Sequence, residues 1–330
     1  MNYKLPLADP PIKAFHHHAF YLSTLLADKS RLPLFYNGYI LLRYFENNDI
    51  PFDIVPFPNQ TPTGRAPYLE CCDFTFRNSL DYFDSSDPLE YIVNLNIQML
   101  KKQFCIMGDF DEYFDPNKEV FNKHHFLHNY MLTGVCEEEQ FFYSYGYNIS
   151  NQSYRKYGEF KIKFNEYKNA IDLKPSSFPH FDDLWRELTY VNIKNSNVYI
   201  GKNIDIAEIK KQLYMFIYAN QGTYDGINAI LTLTKNLTKR FELQPLRLIM
   251  EHAKIMYDRA KYLYDNGFIE YDKELFLMLE NVVTIATRQF LLSIKHYLSK
   301  DQAIIKNIQQ TLYLLVENET KTFLRFLKAL

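Results

Sequence analysis

Two kinds of side chain in this sequence could do nucleophilic or acid–base chemistry near neutral pH: four cysteines and nine histidines. Six of the histidines form two clusters, His16, His17, His18 and His124, His125, His128. His128 stands apart from its neighbours. It lies in the stretch Phe104–Asn148, which reads as three strands over 104–113, 126–135 and 140–147, with His128 near the start of the middle strand and Gly134 at its exit. An imidazole entering a strand is held rigidly, as a general base must be. His16, His17, His124 and His125 have the more ordinary reading of surface or capping residues. His124 and His128 are four apart and would share one face of a helix, but the strand reading separates them. The chain also has no HExxH arrangement, so no metal ligand set is expected.

Thiol catalysis needs a cysteine at a helix N-terminus, where the helix dipole favours the thiolate, and an imidazole on an adjacent strand to move the proton. His128 supplies the second half. The first half belongs at the start of a helix over about Ala19 to Asp28, marked by Phe20, Leu22, Leu25 and Leu26, and the residue there is Ala19. The real cysteines are weaker candidates: Cys105 and Cys136 lie in or beside apolar strands, where a cysteine is usually a small hydrophobe, and Cys72 sits in a loop-like stretch. The spacing of Cys71, Cys72, Cys105 and Cys136 matches no zinc pattern, and adjacent cysteines make a poor disulfide framework.

Other elements are expected to support this pair. An extended proline-rich lead over 5–11 precedes the first helix. A second helix is expected over 36–47, strand then loop through DIVPFPNQTPTGRAPY, and a helix over 88–102 with Pro88 in its first turn. A fourth strand is expected over 157–168. Helices followed by an antiparallel sheet make an α+β fold, not an alternating parallel one. Beyond about 171 the character changes. Residues 171–200 read as a connector, and 201–330 as a helical bundle domain with helices over 205–219, 224–238, 244–266, 271–298 and 301–328. The expected division is therefore 1–170, 171–200 and 201–330.

At 330 residues, with 47% hydrophobic and 17% aromatic content, the chain can bury a large core. A net charge of −2 offers no electrostatic pull toward nucleic acid or an anionic membrane, so neither is an expected partner. The N-terminus MNYKLPLADPP lacks signal-peptide regions, and no apolar run is expected to span a bilayer, so a reducing cytoplasm is the expected location.

Taken together, HHHAFYLSTLL, DFDEYF, HNYMLTGV with its histidine six residues before a glycine, and MEHAKIMYDRAKYL make the sequence resemble the butirosin-biosynthesis acyltransferase family. The resemblance spans most of the chain and implies a papain-like cysteine protease fold for the first domain. It implies natural-product chemistry in which an acyl or peptidyl carrier protein delivers a phosphopantetheine thioester and a small amine accepts the acyl group, as in the papain-like amide synthases of thiotemplated pathways such as closthioamide synthesis. No cofactor is implied. The family's His-Cys pair falls on His18-Ala19 and its base on His128. Alanine cannot be a nucleophile, which leaves an engineered Cys-to-Ala form, a natural non-catalytic relative, or a nucleophile elsewhere; the first is preferred because the surroundings of Ala19 read as arranged for one.

In papain-like folds the strand after the histidine supplies the residue that orients it. Here that strand offers Ser144 and Asn148, with Asp111, and Asp109 behind it, on the preceding strand as the alternative; the ordinary reading of Asn148 is a turn residue and of Asp111 a solvated one. The implied mechanism runs through an acyl-enzyme on a cysteine at position 19, with helix amides stabilising the oxyanion, His128 deprotonating the amine, and aromatic side chains excluding water. A cysteine hydrolase or peptidase of the same fold would use the same residues. A non-catalytic carrier- or peptide-binding protein would not need them. A homodimer through the aromatic-rich helices is a further expectation.

Overall fold

The computed structural model describes residues 2–46, 50–56, 75–79, 87–149, 155–172, 187–192, 203–218 and 224–330. It is mixed α and β, with an antiparallel sheet and a helical C-terminal region. The chain divides into two compact units that interleave: Met1–Pro10, His16–Lys29 and Tyr68–Val198 form the first, and Pro11–Phe15, Ser30–Pro67 and Tyr199–Leu330 the second. The expected consecutive division at 170 and 200 therefore gives way to an exchange of segments. Residues 30–46 and 50–56 cluster with the C-terminal helices, and the stretch expected to be a connector contributes a strand, Glu187–Asn192, to the first unit.

In the first unit the strands are β1 (Asn2–Lys4), β4 (Thr75–Ser79), β5 (Phe104–Asp111), β6 (Leu127–Cys136), β7 (Phe141–Ile149), β8 (Arg155–Lys163) and β9 (Glu187–Asn192). They form one sheet in the order β4-β9-β5-β6-β7-β8, with β1 also on β6. Among the described residues its strand pairings are antiparallel. Gly134 does not mark the exit of β6. It lies within the strand, where the register with β7 shifts and where a Cβ would stand 2.4 Å from the Tyr3 carbonyl oxygen, so only glycine lets β1 approach. The fourth expected strand is half right: β8 ends at Lys163, and Phe164–Ile171 is a helix, α4, whose Glu166 carboxylate accepts the Lys163 N–H at 2.9 Å.

Helix α3 (Pro88–Lys101) starts as its sequence suggests, with the Asp87 carboxylate accepting from Glu90 N–H at 3.0 Å and Pro88 in the first turn. It packs with α4 on the sheet. Their shared core includes Ile92, Val93, Leu100, Ile106, Met131 and Phe142. Its buried polar atoms are paired: Asn96 donates to the Tyr167 hydroxyl at 2.8 Å and accepts from Tyr190 at 3.1 Å, while the Tyr130 and Tyr167 hydroxyls are 2.6 Å apart. Such a network fixes the sheet's position under the helices.

In the second unit, α2 (Leu32–Asn37) ends early and the expected helix over 36–47 does not form; β2 (Leu41–Tyr44) pairs with β3 (Phe52–Val55) instead. The cause lies in the helices. Buried Arg259 donates to the carbonyls of Tyr36, Gly38 and Tyr39, and His252 lies 2.9 Å from that of Ile40. Tyr39 itself is left-handed at φ 58, so this segment's backbone cannot continue a helix. The helices are α5 (Ile206–Ile217), α6 (Gly226–Asn236), α7 (Leu243–Asp265), α8 (Lys273–Ser299) and α9 (Ala303–Ala329), close to the expected spans. Helix α8 corrects one expectation, because it is long and apolar enough, by length and composition, to cross a membrane. Within the unit one stripe of it, from Leu275 to His296, is buried between α7 and α9.

Candidate active site

Helix α1 (His16–Leu25) begins three residues before the expected start. Most of its residues are buried, and it packs on β6 and β7. A buried helix must satisfy its own polar side chains, and here the Ser23 hydroxyl donates to the Ala19 carbonyl at 2.8 Å and Thr24 to the Tyr21 carbonyl at 2.8 Å. The first helical residue is His16. Ala19, the expected nucleophile position, is the fourth, fully buried and about 4.5 Å further along the axis.

His128 lies near the start of β6, opposite Phe110 of β5. Its Nδ1 is 2.7 Å from Glu112 Oε1, in the 3-10 turn Glu112–Phe114 that follows β5. Glu112 was not among the residues expected to orient His128. Asp111, the alternative on that strand, faces elsewhere: it lies 2.5 Å from His125 Nδ1 and accepts from the backbone amides of Tyr113 and Phe126 at 3.1 Å each. Asp109 is bonded by Asn129. Ser144 donates to the Met131 carbonyl at 3.1 Å, a contact internal to the sheet.

Asn148 is buried on β7, beyond the point where the β6–β7 pairing ends at Met131 with Tyr145. Past that pair the β7 backbone takes other partners. The Tyr147 amide donates to His16 Nε2 at 3.3 Å, the Tyr147 carbonyl accepts from Lys118 Nζ at 2.7 Å, and the Ile149 amide donates to the Asn117 carbonyl at 2.8 Å. His16 thus fills a gap between strands. Its ring stacks on His128 with centroids 4.5 Å apart, on Phe20 at 4.9 Å and on Tyr147 at 5.2 Å. Gly146, at φ +154, leaves only ordinary contacts to the His16 and Phe20 rings.

The charges follow from burial and partners. Burial, then the nearby His128, Lys118 and His17, hold His16 well below the usual imidazole range. It is neutral at pH 7, and since Nε2 accepts from Tyr147 the proton is on Nδ1. Burial alone would raise the Glu112 carboxyl; the hydrogen bond from His128 and the Lys118 charge outweigh it and hold the carboxyl low. Lys118 Nζ is 3.2 Å from Glu112 Oε1, and both side chains are nearly buried. Asp109 and Asp115 are pushed up to about 6, chiefly by burial. With the Glu112 carboxylate on Nδ1, the His128 Nε2 is the ring nitrogen left to face a reacting group.

No thiol approaches this dyad among the described residues. By strand rise and register, Cys105 lies about 16 Å and Cys136 about 26 Å along the sheet from His128, and both are buried. Cys71 and Cys72 lie outside the described residues. Neither a protein-family model nor a curated protein sequence matches the chain.

Proposed function

We propose that this chain is a papain-like acyltransferase of natural-product biosynthesis that joins an acyl group from a carrier-protein thioester to a small amine, with His128 as general base and Glu112 as the residue that orients it. The observation that supports this reading is the 2.7 Å contact between His128 Nδ1 and Glu112, mounted on an antiparallel sheet beside the first turn of a buried helix. A thioester is already activated. The amine nitrogen attacks its carbonyl and gives its proton to His128 Nε2; the C–N bond forms, the C–S bond breaks, and His128 returns the proton to the departing thiolate. This route needs no protein thiol. His16, neutral and packed flat on the His128 ring, is a wall of the site and not a second base. The route through a cysteine at position 19 stays a proposal with a weaker footing, because the residue that touches His128 is His16, a turn earlier.

That same occupancy favours a second reading, a non-catalytic relative that binds a carrier protein or peptide. Incubation of the full chain with an acyl-phosphopantetheinyl carrier protein and a panel of amines, with products read by mass, separates the readings. Amide product supports the synthase. Free acid alone assigns a hydrolase, and a stable complex without turnover assigns a binding protein. A covalent acyl adduct that forms only on the Ala19→Cys chain and then transfers to amine would restore the acyl-enzyme route.

A further inference from the structure

We propose that the outer face of α8 is a self-association surface, on which a second copy of this chain lays its own α8 in the opposite direction. Helix α8 has two apolar stripes, and only one is used within its unit. Leu275, Leu279, Val282, Ala286 and Gln289 are buried between α7 and α9. On the outer side Leu277, Leu291 and Leu298 are 55%, 60% and 68% exposed, and Thr284, also exposed, completes a seven-residue spacing from Leu277 to Leu298. A seven-residue period keeps a stripe in contact along a neighbouring helix, whereas isolated surface leucines need no partner.

Charge selects the direction. Glu280, Arg288 and Lys295 lie exposed along this face. A two-fold axis between Thr287 and Arg288 sets Leu277 against the second copy's Leu298, Thr284 against Leu291, and Glu280 against Lys295, each pair twice. A parallel arrangement would set Glu280 against Glu280 and Lys295 against Lys295. The antiparallel arrangement therefore pairs Glu280 with Lys295 and Leu277 with Leu298 in a single register, with Thr284 facing Leu291 and Arg288 beside the axis. The helix is about 40 Å long. A seam of that length and roughly 12 Å width buries on the order of 1,000 Å² in all, the low end for a specific contact, so a micromolar dimer is the expected strength. A lipid bilayer is the poorer occupant, because Glu280, Arg288 and Lys295 would enter hydrocarbon, while the opposite stripe carries Gln289, Ser293 and His296.

This inference is independent of the acyl-transfer reading. Sedimentation velocity of the full chain from about 1 to 100 µM tests it. The expected result is conversion of monomer to dimer across this range. Leu291→Lys, at a position exposed enough to leave the circular dichroism spectrum unchanged, should hold the chain monomeric. Glu280→Lys should raise the dissociation constant roughly tenfold, and adding Lys295→Glu should bring it back to within about twofold. Four results would overturn the proposal: a wild-type chain monomeric throughout, a dimer indifferent to Leu291→Lys, a double charge variant no tighter than the single one, or flotation of a monomeric wild type with phosphatidylcholine vesicles that Leu291→Lys abolishes.

Discussion

Replacing His16 with phenylalanine should remove part of the protein's sensitivity to acid. His16 is buried, accepts the Tyr147 amide at Nε2 and is held well below the ordinary imidazole pKa by burial and by His128, Lys118 and His17. In the unfolded chain a histidine titrates near 6.5. Between about pH 7.5 and pH 5.5 the unfolded state therefore takes up nearly one proton that the folded state does not, and because the folded state binds fewer protons, stability falls as pH falls. For one such site the loss over that interval is about 1.4 kcal/mol, or roughly 3–6 °C in Tm for a unit of this size. Phenylalanine keeps a flat ring against His128 and Phe20 but cannot titrate. Asp109 and Asp115, pushed up to about 6, act in the opposite sense but are present in both proteins and cancel in the comparison. The assay is thermal unfolding by near-UV circular dichroism at both pH values in both proteins. The wild type should lose roughly 3–6 °C more than the variant on acidification. Equal losses would refute the assignment of His16 as a buried neutral imidazole.

Three further outcomes follow from the packing. Lys118→Met leaves the nearly buried Glu112 carboxylate without its ammonium and the Tyr147 carbonyl without its donor; equilibrium unfolding in urea should show a loss of about 3 kcal/mol at neutral pH. That penalty should shrink as acid protonates Glu112, because a carboxyl held low in the folded state contributes its stability above the unfolded pKa and loses it as pH falls through the folded value. Gly134→Ala puts a Cβ into the Tyr3 carbonyl and should cost about 1–3 kcal/mol, with faster amide exchange at Leu5, whose N–H bonds the Thr133 carbonyl, as the local signature. Arg259→Leu should cost about 3 kcal/mol or more in the same urea assay by stranding buried carbonyls of residues 36–39.

Much of the frame was legible in the sequence because it is local. Alternation and turn residues marked β5, β6 and β7, proline and aspartate marked the start of α3, and three-and-four spacing marked the C-terminal helices. What failed depends on distant partners. The segment 36–47 has helical composition, yet its carbonyls are held by Arg259 and His252, more than two hundred residues away in sequence. Strand β9 has no clean period, and it forms as an inner strand between β4 and β5. In the site, Glu112 was missed although parity could have found it. His128 pairs with Phe110, so the side chain two residues on, at 112, lies on the histidine's face of the sheet, whereas Asp109 and Asp111 lie on the other. The role of His16 was not legible, since nothing local tells a buried ring that fills a splayed strand pair from a surface histidine.

The proposed role of His128, oriented by Glu112, is that of base in an amide-forming acyl transfer. Its most direct test is the rate of amide formation from an acyl carrier-protein thioester and an amine, measured for the wild type, His128→Ala and Glu112→Gln. Amide is expected from the wild type, with a loss of about 10²–10⁴-fold in kcat for His128→Ala and a smaller loss for Glu112→Gln, each with carrier binding retained. Turnover unchanged by His128→Ala, or no turnover by a wild type that still binds the carrier, would contradict it.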